Sequence, residues 1–129
     1  MSGRYPSSPE EAEEARKLVA RYDVPADAAW IAQRVYRFLA AHYFVPDMAE
    51  ATAETLATDW IRELNGYPDW AIEDALQWWI SRANKKRAKK PVPGDISERA
   101  QFAAAMMIAA KRQLEFYDQY KDRPPAFLR

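Results

Sequence analysis

The 129-residue chain has no cysteine, one histidine and three glycines. Without cysteine it can form neither a disulfide nor a thiolate metal site. The single histidine, His42, excludes a histidine-rich metal centre and a His–His proton relay. With only Gly3, Gly66 and Gly94, no glycine loop is available to cradle a phosphate. No run of eighteen apolar residues occurs, so no membrane span is expected. The opening MSGRYPSSPEE lacks the apolar stretch of a signal peptide. Nor does any segment alternate apolar and polar residues between turn signals, which argues against strands. The absence of cysteine suits a reducing cytoplasm, and a cytoplasmic protein is expected.

What the chain does hold is enough apolar surface for a modest core, with 49% apolar and 13% aromatic residues. Its net charge of zero conceals a division. Residues 1–81 carry 7 basic and 14 acidic side chains, a net of −7, whereas residues 82–129 carry 12 basic and 5 acidic, a net of +7. Such a division can steer an anionic partner to one end of the molecule, or let the two halves attract each other.

Apolar spacing and break signals predict an all-α fold, a single-domain bundle of about five helices over 8–121 with flexible tails at 1–7 and 122–129. Ser8-Pro9-Glu10-Glu11 reads as a capped helix start, and that helix runs to about Arg21. A second covers about 25–43, with Ile31, Val35, Phe38, Leu39 and His42 on one side and Arg34 and Arg37 on its polar flank. The third spans about 46–64 and stops at Asn65-Gly66. A tryptophan-rich fourth runs over about 68–83, its inward face formed by Ile72, Ala75, Leu76, Trp79, Ile80 and Ala83. Trp70 and Trp78 point elsewhere, because Trp78 cannot share a face with its neighbour. Pro91-Val92-Pro93-Gly94 is expected to be non-helical. A long amphipathic C-terminal helix then extends from about Asp95 to Lys121. Its positions Ile96, Ala100, Ala103, Met107, Ala110, Leu114 and Tyr117 alternate steps of four and three, the repeat of a helix–helix seam. That seam packs within the bundle or makes a homodimer.

The search for chemistry is mostly negative. Glu50 and Glu54, and Asp69 and Glu73, are spaced to share a helical face. Neither pair has the Glu-x-x-His partner of a di-metal bundle, so solvated acidic faces are expected, and His42 reads as a core or rim residue. No serine has a base and an orienting acid at recognisable spacing. No enzyme, cofactor or metal is therefore expected. The densest signal is Arg82, Lys85, Lys86, Arg87, Lys89 and Lys90, six cations in nine residues. Cations release counterions when they neutralise phosphates, which supplies sequence-independent nucleic-acid affinity. The nearby Trp78 and Trp79 offer stacking surfaces to unpaired bases. The competing readings are a solvated linker beside packed tryptophans, or a site for an acidic protein.

Tyr67-Pro68-x-Trp70-Ala71, followed by Ala75 and Trp79 and then Pro91-x-Pro93-x-Asp95-Ile96, resembles small phage and prophage replication proteins of the helicase loader and inhibitor type. The similarity covers about 47–100. After Ala100 the chain departs from the family, placing a long helix where the family has a poorly ordered, partner-binding part. The resemblance implies an all-helical adaptor that binds a replicative helicase or its initiator and places it on DNA or blocks it. Its contacts would be the basic linker, with its six cations, and the exposed end of the chain, with Trp78 or Trp70 as an aromatic anchor. Two alternatives carry other surfaces: a protein-only interaction module, such as a phage-encoded inhibitor of a host complex, or a self-associating bundle.

Overall fold

Helix boundaries in the computed structural model, which describes residues 6–121, follow from how each terminal backbone group is satisfied. Helix α1 is Pro9–Tyr22. Ser8 caps it by accepting the Glu11 amide at 3.1 Å. The Glu11 carboxylate turns back to the hydroxyl of Ser7 at 2.6 Å. Pro6 is fully buried. The expected tails at 1–7 and 122–129 otherwise lie outside the described residues, but Pro6 and Ser7 are held.

Helix α2 is Ala28–His42 and begins later than its apolar pattern suggested. The cause is Asp27, whose carboxylate accepts the amides of Ala29 and Trp30 as the cap. Pro25 and Ala26 stay extended, with the Ala26 amide donating to the Tyr67 carbonyl at 2.9 Å and Pro25 bridging Pro68. Helix α3 is Glu50–Leu64. The expected start at Pro46 is too early, since Val45 precedes a proline and the residues before Ala49 are not helical. Gly66 takes φ 97°, the left-handed turn that ends the segment.

Helix α4 is Asp69–Trp79, four residues shorter at its end than predicted. Polar residues of the next segment take its last carbonyls. Ser81 bonds the Trp78 carbonyl through both its amide and its hydroxyl, and the Asn84 side-chain amide donates to the Trp79 carbonyl at 2.6 Å. Ala83 is consequently exposed rather than inward. Helix α5 is Pro93–Tyr120, so Pro93 and Gly94 are helical, contrary to expectation. Proline suits the first helical position because that amide needs no intrahelical partner. The Asp95 carboxylate reaches back to the Val92 amide at 2.9 Å and completes the start.

The five helices make an all-α protein, with no strand among the described residues. They fall into two compact units. In residues 24–104 the core is Ile31, Val35 and Phe38 of α2, Trp60 and Leu64 of α3, Ile72, Ala75, Leu76 and Trp79 of α4, and Ile96 and Ala100 of α5. Arg34 grips both carboxylate oxygens of Glu73, tying α2 to α4, so Glu73 is ion-paired rather than part of a free acidic face. Ser97, itself buried, donates to the Glu63 carboxylate at 2.6 Å and links α5 to α3. His42 is exposed, its ring 5.1 Å from Phe38. The other unit contains α1 and α5 beyond Ala104, where Ala12 and Ala15 bury against Leu114. Arg16 pairs with Asp118, and Lys111 with Asp23 at 2.9 Å. The seam residues Ile96, Ala100 and Leu114 are thus used in packing within this chain. Among the described residues no helix is long and apolar enough to cross a membrane.

Candidate nucleic-acid interface

Residues 80–92, between α4 and α5, carry the basic run, and their backbone has a fixed path. Asn84, only 4% exposed, is its organiser. Its Nδ2 holds the end of α4, and its Oδ1 accepts the Lys86 amide at 3.0 Å, an Asx-turn. Its carbonyl accepts the Arg87 amide at 3.3 Å. The far side of the loop is fastened twice more. The Tyr43 hydroxyl donates to the Arg87 carbonyl at 2.7 Å, and the Trp79 indole Nε1 donates to the Lys89 carbonyl at 3.0 Å. Pro91 is buried where the loop rejoins the fold.

These backbone anchors leave the charges outside. Arg82, Lys85, Lys86, Arg87, Lys89 and Lys90 are all exposed. Among the described residues, ion pairs are made by Arg16, Arg34, Arg62, Arg99 and Lys111, and by none of these six. Arg87 spends part of its guanidinium on the Asn84 carbonyl at 3.3 Å. The loop is therefore neither a free linker nor self-neutralised. It displays six cations whose charge remains available to a partner.

The expected aromatic residues divide. Trp79 is buried and serves the core and the loop anchor. Trp78 is half-buried and lines a cleft of about 490 Å³ together with Lys85, Lys86, Glu98, Arg99 and Phe102. Trp70, about two turns earlier on α4, is half-buried and not part of that cleft. The structure thus joins Trp78 to the basic loop and leaves Trp70 apart from it. Arg99 and Phe102 also belong to the cleft, although the sequence places Phe102 only on an alanine-rich side of the last helix and gives Arg99 no role. The Arg99 guanidinium lies 4.7 Å from the Trp78 ring centre and 4.5 Å from that of Phe102, with the Asp74 carboxylate at 3.9 Å. An aromatic-x-x-Arg-x-x-aromatic clue does not exist along the chain, since Trp78 and Phe102 sit on different helices. Asn84 was also missed, although a lone asparagine after a helix stop is a turn signal.

Two expected results follow from this geometry. Asn84→Ala removes the donor to Trp79 and the acceptor for Lys86, at a cost of about 2 kcal/mol measured by urea unfolding. The second concerns Tyr43. Burial pushes its phenol above the ordinary value. A pKa raised by folding contributes stability that is complete below the ordinary tyrosine value, about 10, and is lost as pH rises through the folded one. The urea midpoint of the native protein should accordingly fall more between pH ~8 and ~11 than that of Tyr43→Phe, which cannot ionise there.

Comparison with known protein families, curated proteins and solved structures finds no match to the chain. Among the described residues no three His, Asp or Glu side chains are grouped to hold a metal ion.

Proposed function

We propose that this protein is a non-enzymatic helical adaptor of the phage replication type, acting in the cytoplasm on DNA replication or its control. It engages nucleic acid through the loop of Arg82, Lys85, Lys86, Arg87, Lys89 and Lys90, and a replicative helicase or initiator through its helical surface. The observation carrying the nucleic-acid part is the fixed loop with six exposed cations free of ion pairs. The replication part rests on the resemblance of the Tyr67-Pro68 and Pro91-x-Pro93-x-Asp95-Ile96 elements. Pro68 pairs with Pro25, Pro93 opens α5, and Ile96 is in the core.

The test is a titration of tryptophan fluorescence with short single-stranded and duplex DNA at two salt concentrations. Quenching that weakens with salt supports the reading, because phosphate contacts fade as counterions compete. An unchanged signal at low salt removes it and favours a protein-only module. One observation favours that second reading: α2 and α3 flank an apolar groove of about 260 Å³, lined by Val35, Leu39, Val45, Met48, Leu56 and Trp60. Self-association through the α5 seam would need residues other than Ile96, Ala100 and Leu114, which are already buried.

A further inference from the structure

The cleft beside the basic loop has features that phosphate binding alone does not require. Phe102 is 67% exposed although it is a large aromatic, and it stands on α5, outside the loop. Arg99 lies over both the Phe102 and the Trp78 rings and so holds one face of each. Lys85 and Lys86 line the same cleft. The side chains lining it carry three positive charges, on Lys85, Lys86 and Arg99, against two negative ones, on Asp95 and Glu98, and Arg99 also faces Asp74 outside the lining. A volume of about 490 Å³ is within the range of small-ligand sites.

From this juxtaposition we infer that the cleft takes one unpaired nucleotide of a single strand. The base stacks on the exposed Phe102 ring on the side away from Arg99, and its phosphate lies against Lys85 and Lys86. A duplex base is already stacked and paired and cannot enter, so this pocket makes the loop prefer single strands to duplex. The inference rests on the proposed nucleic-acid role of the loop and adds to it the class of nucleic acid and Phe102 as a specificity residue. Base stacking on an aromatic side chain tolerates any sequence, so a preference for strandedness rather than for sequence is expected.

The experiment measures fluorescence anisotropy of the full chain with a labelled oligothymidylate of about twelve nucleotides, inside the usual single-strand site sizes, and with a duplex of equal length. Phe102→Ala should lower affinity for oligothymidylate about tenfold and leave duplex affinity unchanged, with Phe102→Trp restoring it. Because Phe102 is mostly exposed, neither change touches the core. If Phe102→Ala binds oligothymidylate like the native protein while neutralising the six loop cations abolishes binding, the pocket is overturned and the loop reading stands. Equal losses on single strand and duplex, or tighter duplex binding by the native protein, also overturn the pocket. No binding of either DNA by the native protein overturns the loop reading and the pocket together.

Discussion

Replacing all six loop cations, as Arg82→Gln, Lys85→Gln, Lys86→Gln, Arg87→Gln, Lys89→Gln and Lys90→Gln together, is expected to abolish the salt dependence of DNA binding. With each cation seated on a phosphate, the log–log slope for duplex DNA is about −5, which corresponds to roughly a thousandfold loss of affinity between 50 and 200 mM salt. The variant should show a slope near zero and, at low salt, affinity reduced by a similar factor. Its circular dichroism should not change, because the six side chains are exposed and the loop is fastened mainly through backbone carbonyls and Asn84. A steep slope retained by the variant would place the phosphate contacts elsewhere, with the other basic residues of 82–129 as the next candidates.

Trp79→Ala is expected to be the most damaging single change to stability, at about 3–5 kcal/mol by urea unfolding. The side chain is 4% exposed and packs in the core shared by α2, α3, α4 and α5. It also has a second role, which Trp79→Phe isolates. Phenylalanine fills most of the space but cannot donate to the Lys89 carbonyl, so it should cost only about 1–2 kcal/mol. Trypsin would then report the loop. Trp79→Phe should be cut sooner than the native protein after Lys85, Lys86, Arg87 or Lys89 while the helices remain folded. Equal cleavage rates in both proteins would mean that Tyr43 and Asn84 hold the loop without the indole.

The helices were readable from the sequence because their signals are local. Apolar steps of three and four, prolines at breaks and Ser8 before Pro9 act within one or two turns, and their residues do occupy the core or the caps. Two of the misplaced boundaries share one cause. Ser81 and Asn84 ended α4 early, and Asp27 started α2 late, through side-chain bonds to backbone that periodicity does not register. The cations of the candidate site were equally plain, being a matter of composition. Their setting was not. Tyr43 reaches across 44 residues to the Arg87 carbonyl, and Arg99 and Phe102 arrive at Trp78 from another helix. Contacts of that range depend on how helices pack, which one sequence does not state.

The division of α5 between two cores has a consequence for how the molecule opens. Its first turns are locked by Ile96, Ala100 and the Ser97–Glu63 bond into a core of large side chains. Its later turns pack Leu114 against Ala12 and Ala15, with only the partly buried Val19 and Tyr117 beside them, and carry half-exposed ion pairs, which contribute little in water. Local unfolding takes the least costly route. Thermal fluctuations should therefore peel the helix from its C-terminal end together with α1, as one low-energy excursion. The turns that carry Arg99 and Phe102 would keep their place through it, so the cleft and the charged loop outlast the part of the chain that loosens first.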